Sequence, residues 1–522
     1  MTRWIEQGRN RIWAALGAIC VASIAARLPL LWGGFIRFDD WRVIHRNLIV
    51  TDLTWEHLKE VTFTNYMGTA SPFMYAVDML NWAVTPNFTG FAAFNLIWMT
   101  GTILLFFRFS GLFVLTDRWR LVATALFAVD SVNADTVGWM SARCHFLGVA
   151  FVLGCFIAWQ RYLEEPRRLE RALFYLLAVA AGCWAIWSKS IFVTVGGLLL
   201  FYDWYKRRRP TPALLLDKLP FFAAAAYAIT LPPNSIVMAG VAKPSMGTSF
   251  ASTLFNDAGL LLEYLRRMIV PGPSSVAVST YPVDGLWEAS RGASLLATRL
   301  PPAINIAILA LAAAGAFALS RRTGRRALWC ASLMLGAAFA PSMNIPPRWV
   351  EFAFRFAFLP SVFFCLVAAI ALESIWQEPA ASKRRRIVQA VAGACVALWI
   401  CGHGVATFLQ SATMKDGVYW TSCIRGFDDS TICFMKASES LKAAGDKAAA
   451  MRVDEAWARL NEARNPNRKY DPAYRLARFY EGDKDEARAC EWYERSLRDD
   501  QLSANQRRDA AKHAKACEGK KG

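Results

Sequence analysis

Apolar residues run along this chain in long blocks separated by short polar connections, and most of the blocks have the length of a membrane crossing. They lie near residues 12 to 33, 90 to 114, 121 to 133, 144 to 163, 171 to 188, 191 to 205, 213 to 233, 300 to 319, 327 to 343, 354 to 374 and 388 to 410. A helix needs about 20 apolar residues to cross some 30 Å of hydrocarbon. The pattern therefore predicts an all-α polytopic membrane protein with about 11 transmembrane helices. The block at 121 to 133 is short for a crossing, so its neighbours are expected to share the traverse. Leu260 to Val270 carries Glu263, Arg266 and Arg267 and is shorter still, which predicts an interfacial amphipathic helix in an external loop.

Three polar regions interrupt this rhythm: residues 34–89, residues 234–299 and the tail from 411. The first is rich in Trp, Phe and Tyr among polar residues, as suits short helices lying on a bilayer surface. The boundaries that follow are a membrane domain over 1–410, with external loops 34–89 and 234–299, and a helical tail over 411–522. Within the tail, Ala473-Tyr474-Arg475-Leu476-Ala477 precedes Tyr480, Gly482, Ala487 and Trp492-Tyr493, the small-and-aromatic spacing of tetratricopeptide-like helix pairs. Leu441 to Asn465 is a poorer copy. Roughly three such repeats are needed to bury their faces, so a tail this short is expected to pack on the membrane domain or to dock a protein partner.

Composition agrees with the pattern. Of 522 residues, 55% are hydrophobic and 19% charged, too apolar for a soluble domain of this length. The net charge of +18 would suit a nucleic-acid partner if it formed a stripe. Instead the basic residues cluster in every second connection: Arg118 and Arg120, Arg161 to Arg171, Lys206 to Arg209, Arg321 to Arg326 and Lys383 to Arg386. This is the positive-inside arrangement; it excludes nucleic acid as the partner and places the N-terminus in the cytoplasm and the tail outside. The short loops and small tail suit a bacterial inner membrane, with the tail periplasmic. The first apolar block follows a basic stretch without a small-residue cleavage site, so it is read as a retained signal anchor. Twelve cysteines show no zinc spacing, but Cys423 with Cys433 and Cys490 with Cys517 could pair in an oxidising compartment.

Candidate chemistry centres on Phe38-Asp39-Asp40, where the chain leaves the first apolar block. The same face of the membrane receives Asp135, Arg143, His145, the Ser188-Lys189-Ser190 turn, Asn344, Arg348 and Arg355 on the expected topology. A charged group at membrane depth costs about 2.5 to 3.5 kcal/mol on insertion scales, so a set converging on one side points to a polar cavity. Paired carboxylates with several cations fit a base that activates an acceptor while cations hold an anionic leaving group.

Ile36-Arg37-Phe38-Asp39-Asp40 resembles the first-loop motif of GT-C glycosyltransferases. Further stretches resemble a narrower family, the transmembrane and tetratricopeptide-repeat-containing O-mannosyltransferases: Ser71-Pro72 with Phe94-Asn95-Leu96, Asp130 to Trp139, Ser141-Ala142-Arg143, Ser188-Lys189-Ser190, Tyr202-Asp203, and Asn344 with Phe354 to Ser361. The similarity spans roughly residues 25 to 375. It departs at Asp130 and Asn133, which stand where the family has histidines, and at Ser190 and Phe354, which stand where it has glutamates.

The resemblance implies transfer of mannose or another hexose from a polyprenyl-phosphate carrier to an acceptor hydroxyl at the external face, with inversion. A phosphate leaving group departs as an anion without a proton, so a single base facing the acceptor suffices. Asp39 is expected to be that base, Asp40 to orient the acceptor or support the loop, and Asp135 to contact sugar or acceptor. Arg355, Lys189 and Arg143 are expected to hold the carrier phosphate, with Asn344 and Arg27 facing the site. One phosphate needs little charge neutralisation, so no obligatory metal and no cofactor beyond the lipid-linked donor are expected. The acceptor is expected on protein; a lipid or envelope polysaccharide acceptor is the alternative, and a lipid-linked sugar transporter is the reading of another class.

Overall fold

The computed structural model describes residues 2–36, 39–63, 71–113, 115–230, 250–272, 301–343, 353–376, 383–426, 431–464, 473–482, 484–498 and 502–518, and every regular element among them is a helix. Helix occupies all eleven apolar blocks. Among the described residues seven helices are long and apolar enough to cross a membrane: Asn10–Trp32, Phe88–Phe113, Met140–Glu164, Arg168–Ser188, Pro302–Thr323, Phe354–Ser374 and Arg386–Ala412. The other four are shorter, with 13 residues in Asp117–Val129, 12 in Leu219–Thr230 and 14 in Arg326–Phe339, beside the broken helix Ser190–Tyr205.

Burial sorts these helices into centre and rim. The apolar window of Met140–Glu164 is 78% buried and that of Phe354–Ser374 is 72% buried, against 11% for Pro302–Thr323 and 17% for Arg386–Ala412. Apolar residues without protein neighbours on a crossing helix meet lipid, so the last two form the outer wall. The centre is filled by interlocking rings, with Phe106 stacked on Phe127 at 4.6 Å and Phe109 edge-on to Phe156 at 5.3 Å.

The feature that positions the site is the segment between Asp117–Val129 and Cys144–Glu164. It folds as three short turns, Ser131–Asn133, Ala134–Gly138 and Met140–Ala142, nearly all of it buried. Buried backbone that leaves a regular helix needs partners from elsewhere. Side chains of three helices supply them, and a fourth meets the side chain of Asn133. Ser23 Oγ donates to Ala128 O at 2.9 Å, Asn95 Nδ2 to Val137 O at 2.8 Å and Thr407 Oγ1 to Val129 O at 2.8 Å. Ser131 N donates to His403 Nδ1 at 3.1 Å, and Asn133 Nδ2 donates to Ser361 Oγ at 3.1 Å.

One boundary needs correction here. The helix expected over Leu260 to Val270 runs over Phe250–Ile269, 20 residues long, and packs against Pro302–Thr323. Its buried Glu263 pairs with both Arg266 and Arg267, at i+3 and i+4, one carboxylate shared by two cations on one face. Tyr264 on the same helix hydrogen-bonds both O and N of Ala353 at 3.0 Å. In region 34–89 the helix Pro72–Val84 packs on Arg168–Ser188 and buries Asp78 and Asn81. Residues 234–249 and 273–299 lie outside the described residues.

The tail contains Asp416–Gly426, Thr431–Ala443, Lys447–Arg464, Ala473–Gly482, Glu486–Ser496 and Ala504–Glu518, each packed on the next. Ala473, Leu476, Ala477, Tyr480, Ala489, Trp492 and Tyr493 form its separate core. Cys423 is bonded to Cys433, and Cys490 to Cys517. The tail is tied to the segment that follows the first long helix, where Gly34 N donates to Met414 O at 2.9 Å. A side chain at Gly33 would strike that carbonyl, since a Cβ there would lie 2.6 Å from Met414 O.

Candidate active site

Asp39 and Asp40 open the turn that leads into Trp41–His45, and their side chains are treated differently. Asp40 is buried; its Oδ2 accepts from Ile36 N at 3.0 Å and its Oδ1 from Ser141 N at 2.8 Å. One carboxylate thus staples the first loop to the Met140–Ala142 turn. Burial pushes its pKa up to about 7, against the opposing pull of those backbone N–H groups. Asp39 stays half-buried beside it, and its charge adds to the rise at Asp40.

Asp135 sits fully buried in the Ala134–Gly138 turn. Its Oδ1 accepts from the Tyr419 hydroxyl at 2.8 Å, while Oδ2 has no hydrogen-bond partner. Burial raises its pKa to about 6, opposed by the Tyr419 hydrogen bond and by the charge of Arg355. Tyr419 comes from Asp416–Gly426, the first helix of the tail, and its phenol feels Asp135, Arg355 and Asp40 together. Burial and Asp135 raise the phenol well above its ordinary range, so it remains a donor.

Arg355 lies in the Phe354–Ala357 turn, half-buried, with its guanidinium 5.0 Å from the Trp139 ring centre and 5.5 Å from that of Phe356. It makes no hydrogen bond or ion pair with the described residues. Trp139 in turn meets Tyr419 edge-on at 5.7 Å, so one aromatic ring holds the cation on one side and the tail on the other. Lys189 is half-buried at the break before Ser190–Thr194, and both it and Arg355 act electrostatically on Cys144. The two cations therefore converge near the start of Cys144–Glu164.

The structure gives two of the expected phosphate or site contacts other partners. Arg143 is fully buried, ion-paired to Asp78 and donating to Asn81 Oδ1 at 2.8 Å, with the Phe91 and Phe94 rings at 4.5 and 5.3 Å. It braces Pro72–Val84 against the core. A guanidinium so enclosed has no face left for a phosphate. Arg27 is also fully buried, and its Nη1 donates to Ser23 Oγ at 2.8 Å and Ala128 O at 2.6 Å. It answers the carbonyls freed where Asp117–Val129 ends. Asn344 and Arg348 lie outside the described residues.

Asp39, Asp40, Asp135, Arg355 and Lys189 thus share one end of the helix bundle, with Tyr419 and Trp139 between them. Tyr419 and Asp78 were not read from the sequence as site or partner residues. The available signals were an aromatic pair, Tyr419-Trp420, just past the last apolar block, and a lone acid in the otherwise apolar helix Pro72–Val84. Among the described residues no three His, Cys, Asp or Glu side chains are grouped to hold a metal ion. Chemically, the arrangement offers a partly exposed carboxylate, a buried one with an open oxygen, and a guanidinium whose donors make no hydrogen bond among the described residues.

No protein-family model matches the chain, and no curated protein is significantly similar to it. Two solved structures are similar in part, both of the oligosaccharyltransferase of Archaeoglobus fulgidus. The apo form shares 13% identity at a TM-score of 0.44, over 77% of this chain and 56% of that one. The form tethered through a disulfide to an acceptor peptide with an NVT sequon shares 12% at 0.44, over 78% and 55%. This chain thus spans about half the length of those structures, and likeness at this level does not by itself fix fold or activity.

Proposed function

We propose that the protein is a membrane glycosyltransferase of the GT-C type, moving a hexose such as mannose from a polyprenyl-phosphate carrier to an acceptor hydroxyl, on protein, with inversion. The observation that carries this reading is the unequal pair: Asp40 is fixed by two backbone N–H groups, and half-buried Asp39 is presented next to it, at the same end of the bundle as Arg355, whose guanidinium makes no hydrogen bond or ion pair among the described residues. Asp39 takes the proton of the acceptor hydroxyl as its oxygen attacks the anomeric carbon. The carbon–oxygen bond to the carrier breaks, and the departing phosphate takes the electron pair. Arg355, with Lys189, meets the charge that develops there, and guanidinium geometry suits two phosphate oxygens at once. Asp135, oriented by Tyr419, faces the sugar or acceptor. Asp40 is the loop support, and Asn344 remains a candidate for the same pocket.

The finer picture that goes with this reading has about 11 crossings, the four short helices sharing the traverse. The N-terminus is cytoplasmic, and the tail is periplasmic at a bacterial inner membrane. Domain 1–410 carries the chemistry, and 411–522 is a tetratricopeptide-like module that seats Tyr419 and presents a protein partner. No metal is obligatory, so chelation should leave transfer intact; strict loss with chelator would contradict that part. The test compares glycans on envelope proteins and lipids by mass spectrometry in cells lacking the protein, complemented with the native chain or with Asp39→Asn. Return of a hexose-sized modification with the native chain alone supports transfer and names the acceptor, protein or otherwise. Equal complementation removes Asp39 as base and favours transport of a lipid-linked sugar.

A further inference from the structure

At the end of the bundle opposite Asp39, the surface opens into a shallow cavity of about 550 Å³ lined by Tyr162, Arg168, Arg171, Tyr175, Arg208 and Asp217, among others. The helix Cys144–Glu164 has 21 residues, which puts this cavity roughly 30 Å from the acidic site. Its acids are already matched. Asp203 and Asp217 pair with both Arg208 and the buried Lys218, two carboxylates against two cations. Arg168 and Arg171 make no ion pair among the described residues, so the cavity carries a surplus of two positive charges. Its back wall is preset, because Arg208 Nη1 is held at 2.8 Å by Asp203 and 2.9 Å by Asp217, and the Tyr175 hydroxyl donates to Asp217 O at 3.1 Å.

The helix Arg168–Ser188 also says what kind of anion fits. Arg168, Arg171, Ala172 and Tyr175 fall at i, i+3, i+4 and i+7, one face, and all four line the cavity. Beside that face runs a second row at the same spacing, Leu169, Leu173 and Leu176, exposed by 84%, 54% and 61%. A soluble phosphate ester would use the arginines alone. A lipid uses both rows, its phosphate between Arg168, Arg171 and Arg208 and its acyl chains along the leucines. Orientation preference accounts for arginines at this face but not for a cavity floored by two tyrosines. We propose that this cavity is a binding site for the phosphate headgroup of an anionic glycerophospholipid, independent of the transferase reading.

The test is native mass spectrometry of the full chain extracted from bilayers of equal phosphatidylglycerol and phosphatidylcholine. The native protein should retain phosphatidylglycerol preferentially. Arg168→Ala with Arg171→Ala, both exposed and outside the core, should weaken that retention roughly 30-fold without changing the thermal midpoint. Arg168→Lys with Arg171→Lys should keep part of the preference. Equal retention of the two lipids by the native chain, or unchanged retention by the alanine pair, overturns the proposal. Displacement of phosphatidylglycerol by equimolar glycerol 3-phosphate also overturns it, because the leucine row then contributes nothing and the occupant is a soluble phosphate ester.

Discussion

Two buried polar clusters, at opposite ends of the same helix bundle, solve the cost of burying charge differently. At the inner end, Asp203 and Asp217 are matched one for one by Lys218 and Arg208, and Trp159 Nε1 adds a bond to Asp203 at 2.9 Å. At the outer end, Asp40 is satisfied by backbone, Asp135 by one phenol, and Arg355 rests on a ring with no carboxylate of the described residues within ion-pair distance. A matched network resists change because removing either partner strands a charge. An unmatched one is poised for a ligand that brings the missing charge, and this contrast separates scaffold from site more sharply than burial does, since both clusters are buried.

The largest expected effect breaks the contrast at the outer end. Asp39→Asn should lower transfer by about 100- to 10,000-fold, the usual contribution of a general base, with the thermal midpoint unchanged. A loss of stability with no loss of transfer would make Asp39 a scaffold residue. Next, Lys218→Met at the inner end should cost about 3 to 5 kcal/mol in thermal or denaturant unfolding, by leaving Arg208 alone against the two carboxylates of Asp203 and Asp217. If that variant unfolds like the native chain, the inner network is not a matched one.

Two smaller effects sharpen the comparison through pH. Transfer that needs ionised Asp135 should fall on its acid side near pH 6, where that carboxyl takes up its proton. Tyr419→Phe removes a hydrogen bond that favours the charged form, so the acid limb should move upward by roughly one pH unit. Arg355, the other group acting on Asp135, stays in place, and an unmoved limb would assign the profile elsewhere. The last readout is a slope. Asp40 rises from an ordinary 3.8 to about 7 in the folded chain, so the folded state holds a proton there that the unfolded chain has released. Stability from this group is present at low pH and declines as pH climbs from about 4 to about 7. Asp40→Asn should flatten that part of the plot of thermal midpoint against pH.

Much of the fold was legible because one rule dominates it. Every apolar block of the chain is helical, since no other element satisfies its backbone alone in lipid. A boundary that was not legible is the start of the helix around Glu263, Arg266 and Arg267, which begins at Phe250, ten residues before the apolar run at Leu260. Within the site, Asp39, Asp40, Asp135, Lys189 and Arg355 all sit at one end of the bundle. Arg143 and Arg27 are charged like the others and lie in the same part of the sequence. What separates them is a buried acid 65 residues away for Arg143 and a freed carbonyl 101 residues away for Arg27, and neither leaves a local pattern. Tyr419 escaped for the same reason, being a single aromatic in a segment that reads as tail.

The bond between Tyr419 and Asp135 joins positions 284 residues apart, and the carbonyl that meets Gly34 belongs to Met414. During synthesis at about 5 to 20 residues per second, the outer carboxylates are threaded into place roughly 15 to 60 seconds before the phenol that orients one of them exists. A nascent or truncated chain thus holds its acids but lacks the phenol that orients Asp135. The tail acts as a clock: its arrival certifies that every helix before it has already been made.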